Sequence, residues 1–222
     1  MKLFLLNIVL ILLTLGCKPK VDNSDHHKER TLLFQSEIGN QKLHNQLLVF
    51  DLMTTEAYKK LLIEISDSKE IVFSDTLTIE MVDKPTIELR NINGDTTKDL
   101  LIEYLRPARG SNQVSMLYLV NEKDLKLNKV SNSIYFPNLT YDEKLHYISS
   151  LRFYGDTVEM DFLEMKSDTL SPKYNITKED IKVRITKLKD NNWIEIGEKT
   201  IDSDIIIPEI IALEPEVIIS TN

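Results

Sequence analysis

Three stretches of the chain carry residues whose types and spacing could do chemistry. Between Asn91 and Asp99 it reads Asn-Ile-Asn-Gly-Asp-Thr-Thr-Lys-Asp, which puts side-chain oxygens at relative positions 1, 3, 5 and 9. A tight loop with that spacing can turn Asn91, Asn93, Asp95 and Asp99 inward around a hard cation, with the Thr97 carbonyl as a further donor. The same residues also suit an Asx-rich turn between two strands, with no metal. A second loop, Leu105 to Asn112, holds Pro107 and Gly110. It carries Arg106 and Arg109 in a chain where acidic residues outnumber basic ones, 35 to 27. A guanidinium grips a carboxylate through two parallel hydrogen bonds, so a projecting loop with two of them suits an acidic cleft. Arg106, Arg109, Gly110 and Asn112 are therefore the candidate partner-binding residues. The plainer alternative pairs the arginines with acids of the chain itself, such as Glu103. The third stretch ends at Cys17, the only cysteine.

Residues 1–17 read MKLFLLNIVLILLTLGC: a Lys at position 2, an apolar run, then Gly16 before the Cys. This is the pattern of a secretory signal, and the run is too short to span a bilayer. It resembles a bacterial lipoprotein signal. That resemblance implies removal of residues 1–16, lipidation of Cys17 on its sulfur and amine with palmitate-type chains, and a lipid-anchored address in the cell envelope. With Cys17 as the anchor, no cysteine remains for a disulfide or for thiol chemistry. Residues 17–222 then hold 26 basic and 35 acidic side chains, a formal charge of −9. That balance argues against nucleic acid or anionic lipid as a partner, and for solubility or a basic partner. Residues 17–30 are polar without apolar periodicity and read as a flexible tether. Its His26 and His27 are adjacent and cannot point inward together in such a segment.

The elements that must position these residues are strands. Thr86–Leu89 and Leu100–Leu105 are rich in Ile, Leu and Tyr and flank the Asn91–Asp99 loop. Upstream, Gln46–Leu52, Leu61–Ile65, Glu70–Phe73 and Leu77–Met81 are strand-like, and Thr54–Lys60 suggests a short helical turn capped by Thr54. Downstream come Lys126–Val130, Tyr147–Tyr154 and Val158–Met165. Two hairpins are marked, one turning at Gly155-Asp156 and one at Asp190-Asn-Asn192 before Trp193. About ten strands with frequent turn signals predict an all-β fold, an antiparallel sandwich or a partial β-propeller. No linker interrupts residues 31–222, which read as a single β-rich domain. Ile205–Ser220 is apolar with Pro208 and Pro215, and reads as an edge strand or an extended tail.

The Asn91–Asp99 loop resembles the D-x-N-x-D-G-x-x-D-L calcium loops of FG-GAP and VCBS repeats. The stretch around it is also similar to bacterial surface lipoproteins that inhibit peptidoglycan hydrolases. There the loop is followed by a strand, a Gly- and Asn-containing loop and a Tyr-rich strand. Gly110-Ser-Asn112 and Met116-Leu-Tyr118-Leu-Val120 match that continuation, as do Phe136-Pro-Asn138-Leu-Thr140 and Ile148-Ser-Ser150 further on. The likeness covers Glu88 to Tyr154. It implies calcium as the cofactor and a hydrolase, or another envelope protein, as the partner. Asn91 replaces the first Asp of the pattern and Thr96 its Gly. Two carboxylates, Asp95 and Asp99, remain, so calcium affinity should be reduced.

Enzyme signatures are lacking: there is no G-x-S-x-G, H-E-x-x-H, P-loop or dinucleotide fingerprint. His44 and His146 lie outside the tether, and His146 reads as a surface or half-buried ring rather than a base. Asp161 with Glu164, or Glu195 with Glu198, are pairs that any acidic chain would show. The expectation is therefore a non-enzyme: a lipid-anchored inhibitor of a peptidoglycan hydrolase, serving immunity or lysozyme defence. The rival is a calcium-stabilised surface module that binds a glycan or a protein.

Overall fold

Residues 100–102 and 116–120, in the middle of the chain, are apolar at every position because their strands are buried on both faces. The computed structural model describes residues 30–39, 45–55, 57–68, 70–80, 84–105 and 112–201. The chain divides into two units, Met1–Arg30 and Thr31–Asn222, and every strand among the described residues belongs to the second. Cys17, the tether up to residue 29, Arg106, Arg109, Gly110 and Ile205–Ser220 lie outside the described residues.

Three antiparallel sheets form in sequence order. The first holds β1 (Thr31–Glu37), β2 (Gln46–Thr54), β3 (Tyr58–Asp67) and β4 (Glu70–Glu80). The second holds β5 (Thr86–Arg90), β6 (Asp99–Leu105), β7 (Val114–Asn121) and β8 (Lys126–Lys129). The third runs from β9 (Leu139–Asp142) through β10 (Tyr147–Tyr154), β11 (Thr157–Lys166), β12 (Thr169–Glu179) and β13 (Lys182–Lys189) to β14 (Asn192–Thr200). Each strand pairs with its sequence neighbour inside its sheet. Turns therefore set the pairing, and no sheet closes into a barrel. The all-β antiparallel class expected from the sequence is observed, and of the two architectures expected the three sheets are consistent with the sandwich. The strands number fourteen among the described residues rather than about ten.

Alternation along β6 and β7 decides the layering. Leu100, Ile102, Met116 and Tyr118 pack with Leu47, Val49, Leu61, Ile63 and Leu77 of the first sheet. Leu101 and Leu117 point the other way, into a cluster with Leu139, Ile148, Leu163 and Leu170 of the third sheet. Because successive side chains face opposite sides, a strand between two sheets must be apolar at every position. Hence Leu-Leu-Ile at 100–102 and Met-Leu-Tyr-Leu-Val at 116–120. One polar tie crosses the first interface, where the Tyr118 hydroxyl donates to Asp75 Oδ2 at 3.1 Å.

Both marked hairpins form. Tyr154 pairs with Thr157 around Gly155, whose φ is +62°. Lys189 pairs with Asn192 around Asp190 and Asn191, both at positive φ (50° and 62°), the two-residue turn that matches strand twist. The helical turn expected at Thr54–Lys60 does not form. Thr55 Oγ1 instead accepts the Tyr58 N–H at 3.0 Å and closes a short loop, and β3 begins at Tyr58. Tertiary contact overrides the local preference: Lys59 is buried and pairs with Asp51 across the hairpin at 3.0 Å. Among the described residues, no helix is long and apolar enough to cross a membrane.

Candidate functional site

The Asn91–Lys98 loop joins β5 to β6 and is closed by its own side chains. Asn91 Oδ1 accepts the Gly94 N–H at 2.8 Å, and Asn93 Oδ1 accepts the Asp95 N–H at 3.1 Å. Asp95 takes the Thr97 N–H on Oδ1 at 2.7 Å and the Asn93 amide on Oδ2 at 2.8 Å. The Asn91 amide also donates to the Asp95 carbonyl. The loop is exposed at Gly94, Asp95 and Thr96, while Asp99 lies fully buried at its base.

Asp99 is the structural pivot. Its Oδ2 accepts the Ile92 N–H at 3.1 Å and its Oδ1 the Val120 N–H at 3.3 Å, so it ties the loop to β7. Burial pushes its carboxyl up to about 6; the backbone donors of Ile92, Val120 and Asn93 pull it down without cancelling the desolvation, and Asp95 adds to the rise. As donors, Asn91, Asn93, Asp95, Thr97 and Asp99 supply only oxygens, two of them from carboxylates. By residue type they fit a hard cation. The hydrogen-bonded oxygens of Asn91, Asn93 and Asp95 each keep a second lone pair. Among the described residues, no group of three or more His, Cys, Asp or Glu converges.

One partner of this loop was not foreseen. A Cβ on Gly94 would lie 2.6 Å from Cε2 of Tyr141, and nearer still to Cζ and Oη. Tyr141 belongs to β9 and packs in the cluster between the second and third sheets. Its hydroxyl lies 3.3 Å from His146 Nδ1, and His146 is exposed, as expected. The loop is thus held from below by Asp99 and from the side by Tyr141. Only the glycine hints at this in the sequence.

The Arg-bearing loop joins β6 to β7, at the other end of β6. Seven residues of strand separate the two candidate sites, roughly 20 Å at about 3.3 Å per residue. The fold does not bring them together. Of the second set, Asn112 lies among the described residues, and its side chain is occupied. Its Oδ1 accepts the Phe153 N–H at 2.9 Å and its Nδ2 donates to the Phe153 carbonyl at 3.0 Å. The returning arm is pinned again next door: the Asn138 N–H donates to the Gln113 carbonyl at 2.9 Å, and Asn138 Oδ1 accepts the Gln113 N–H at 3.1 Å. The Asn138 amide then donates to the Leu151 carbonyl at 2.8 Å. Beside this base stand two exposed aromatics that sequence reasoning passed over, Phe153 and Tyr154, 38% and 56% exposed.

Asp161 and Glu164 are each engaged by other side chains. Asp161 is buried and engaged by Arg152 and by the Asn175 amide at 2.8 Å, while Glu164 pairs with Lys173 at 3.1 Å. Burial raises the Asp161 carboxyl, and Asn175 and Arg152 oppose the rise. This is a polar cluster on the third sheet, in which the Arg152 Nε is buried without a hydrogen-bond partner.

No protein-family model matches the chain, and no curated protein sequence matches it. The fold is similar to a solved structure described as that of a Xanthomonas Type IV Secretion System related protein. The two share 13% identity with a TM-score of 0.50, over 73% of this chain and 98% of that one. At that identity the likeness is one of fold.

Proposed function

We propose that this protein is a lipid-anchored envelope protein that binds and inhibits a peptidoglycan hydrolase, in immunity or in defence against lysozyme. The observation that carries this reading is the seating of Asn112. Its two hydrogen bonds to the Phe153 backbone fix the returning arm of the Arg-bearing loop beside Phe153 and Tyr154. A loop held at its base loses less entropy on docking. Arginine and aromatic side chains are the residue types that dominate interface energetics. Muramidase clefts present two catalytic carboxylates, which two guanidinium groups complement. The similar structure is described as secretion-system related, a description that belongs to that protein; for this chain it adds weight to an envelope address. The test is hydrolase activity on purified peptidoglycan with the protein titrated in.

The anchor has its own test. Cys17→Ser should leave the protein unprocessed or released into the soluble fraction. Fractionation that finds the wild type soluble, or cut at another position, would remove the lipid anchor from the proposal.

A second reading, a calcium-stabilised module for a glycan or protein partner, is favoured by Asp99. A buried carboxylate with its pKa pushed up to about 6 is unfavourably ionised at neutral pH. A bound cation would offset that cost. A ligand that binds only the native state adds about 2.7 kcal/mol at a hundredfold excess over Kd. The melting temperature should then rise in millimolar calcium and fall in chelator, and Asp95→Ala should abolish the difference. Identical melts in calcium and chelator would leave the loop as an Asx turn.

A further inference from the structure

A cleft of about 360 Å³ opens between the end of β1 and the Asn91–Lys98 loop, at the opposite end of β6 from the Arg-bearing loop. Three separate stretches line it. Glu37 and Ile38 come from the end of β1, Leu89, Thr96 and Lys98 from β5 and the loop after it, and Glu122 from the β7–β8 turn. Each stretch is held by bonds of its own. The Ile38 N–H donates to the Asn45 carbonyl at 3.1 Å, across the base of the β1–β2 connection. Thr97 and Asp99, on either side of Lys98, both belong to the bonded frame of the Asn91–Lys98 loop. In the β7–β8 turn, Asn121 Oδ1 accepts the Lys123 and Asp124 N–H groups, each at 3.1 Å, so Glu122 sits on a closed turn. A Cβ on Gly39 would lie 3.7 Å from Cβ of Glu122, which puts the β1 end against this turn. The cleft is therefore preformed, and a ligand entering it orders little backbone.

Its lining selects a particular chemistry. The apolar part is Ile38, which is buried, and Leu89, which is half-buried. The charged part is Glu37, Glu122 and Lys98, all exposed. Among the described residues none of these three side chains makes an ion pair or a hydrogen bond. Other lysines of the chain are paired across strands, Lys59 with Asp51 and Lys173 with Glu164. Two carboxylates and one ammonium around one opening carry a formal charge of −1.

We propose that this cleft binds a free diamino acid, a small molecule with two ammonium groups and one carboxylate, such as lysine. The two ammonium groups face Glu37 and Glu122. The carboxylate faces Lys98, with the Thr96 hydroxyl beside it, and the methylene chain lies over Ile38 and Leu89. Each charge of the ligand then meets one of opposite sign, and the net charges offset. A monoamino acid leaves one glutamate unmatched, and a diamine leaves Lys98 unmatched. A lysine inside a peptide has lost its α-ammonium and its carboxylate to amide bonds. The site uses none of the residues assigned to hydrolase inhibition and does not rest on that reading.

Calorimetric titration of free L-lysine into the full-length protein in detergent tests this. Saturable one-to-one binding is expected. Norleucine, which lacks the side-chain ammonium, and cadaverine, which lacks the carboxylate, should each bind roughly fivefold more weakly or worse. Lys98→Met should weaken lysine by a similar factor and leave cadaverine unchanged, a pattern that a general loss of structure cannot produce. Glu122→Gln should weaken lysine and cadaverine together. Absence of saturable lysine binding in the millimolar range would overturn the proposal. Equal binding of lysine, norleucine and cadaverine would overturn it too, as would lysine binding that neither variant alters.

Discussion

Gly94→Ala should lower the melting temperature by roughly 6–12 °C. Two costs combine at this position. Gly94 has φ +78°, a backbone region that an L side chain enters at about 1–2 kcal/mol. The new methyl would also overlap the Tyr141 ring. That ring cannot simply swing away, since it packs in the cluster between the second and third sheets and its hydroxyl meets His146. Overpacking of this kind costs about 1–3 kcal/mol. About 3 kcal/mol in total converts to the quoted shift for a domain of this size. A double-mutant cycle separates the two terms. In a Tyr141→Ala background the methyl has room, and Gly94→Ala should cost only the backbone term, a shift of roughly 2–8 °C. Equal shifts in both backgrounds would mean that Tyr141 does not brace the loop. A shift below about 2 °C in the wild-type background would mean that the loop itself is not held in this conformation.

Inhibition of a wall hydrolase should weaken roughly thirtyfold or more when Arg109 becomes Ala. The expectation follows if the loop enters a cleft in which the arginine faces catalytic carboxylates with little water present. Removing one side of a buried charge pair costs about 2–5 kcal/mol, mostly through faster dissociation. Arg109 is the first choice because Gly110 beside it lets the backbone approach closely. Arg106, braced by Pro107, is second. Arg109→Lys should recover only part of the loss, because a point charge cannot fork onto a carboxylate. The melt should not change for either variant. Asn112→Ala makes a useful contrast. It deletes both hydrogen bonds to Phe153, so it loosens the base of the loop without removing a charge. If no hydrolase from the same or competing bacteria is inhibited by the wild type, the inhibitor reading fails and the binding module replaces it. If inhibition survives alanine at both Arg106 and Arg109, the activity resides elsewhere on the surface, with Phe153 and Tyr154 next to be changed.

The sequence by itself determined the strand class and several of the turns. Val158-Glu-Met-Asp-Phe alternates with period two in the sequence and forms part of β11, where Met160 and Phe162 pack on one face and Leu163 on the other. Gly155 and Asp190-Asn191 are short-range signals: positive φ at these positions is a property of the residues themselves. The Asx loop was legible for the same reason, since its side chains bond to backbone two or three residues away. Where local preference and tertiary pairing disagreed, the sequence misled. β12 went unseen because Ser-Pro-Lys-Tyr-Asn has little apolar content and a proline. It is nonetheless an inner strand, and Pro172 is tolerated because the β11–β12 register shifts beside it, at Phe162/Leu163.

Only the tertiary structure decided what each candidate residue touches. Asp99 reads as the last ligand of a loop, but its burial between Ile92 and Val120 also makes it a structural acceptor with a raised pKa. Asn112 reads as part of a binding loop, yet its amide is spent on Phe153, forty-one residues away. Gly94 reads as a turn glycine, and the ring it must leave room for comes from another sheet. The two candidate loops lie close in sequence and at opposite ends of β6, because an antiparallel meander sends successive loops to alternate ends. Contacts of this kind depend on which sheet faces which. That is fixed by burying Leu101 and Leu117 on one side of the second sheet and Leu100 and Tyr118 on the other, a long-range free-energy balance that no local stretch of residues records.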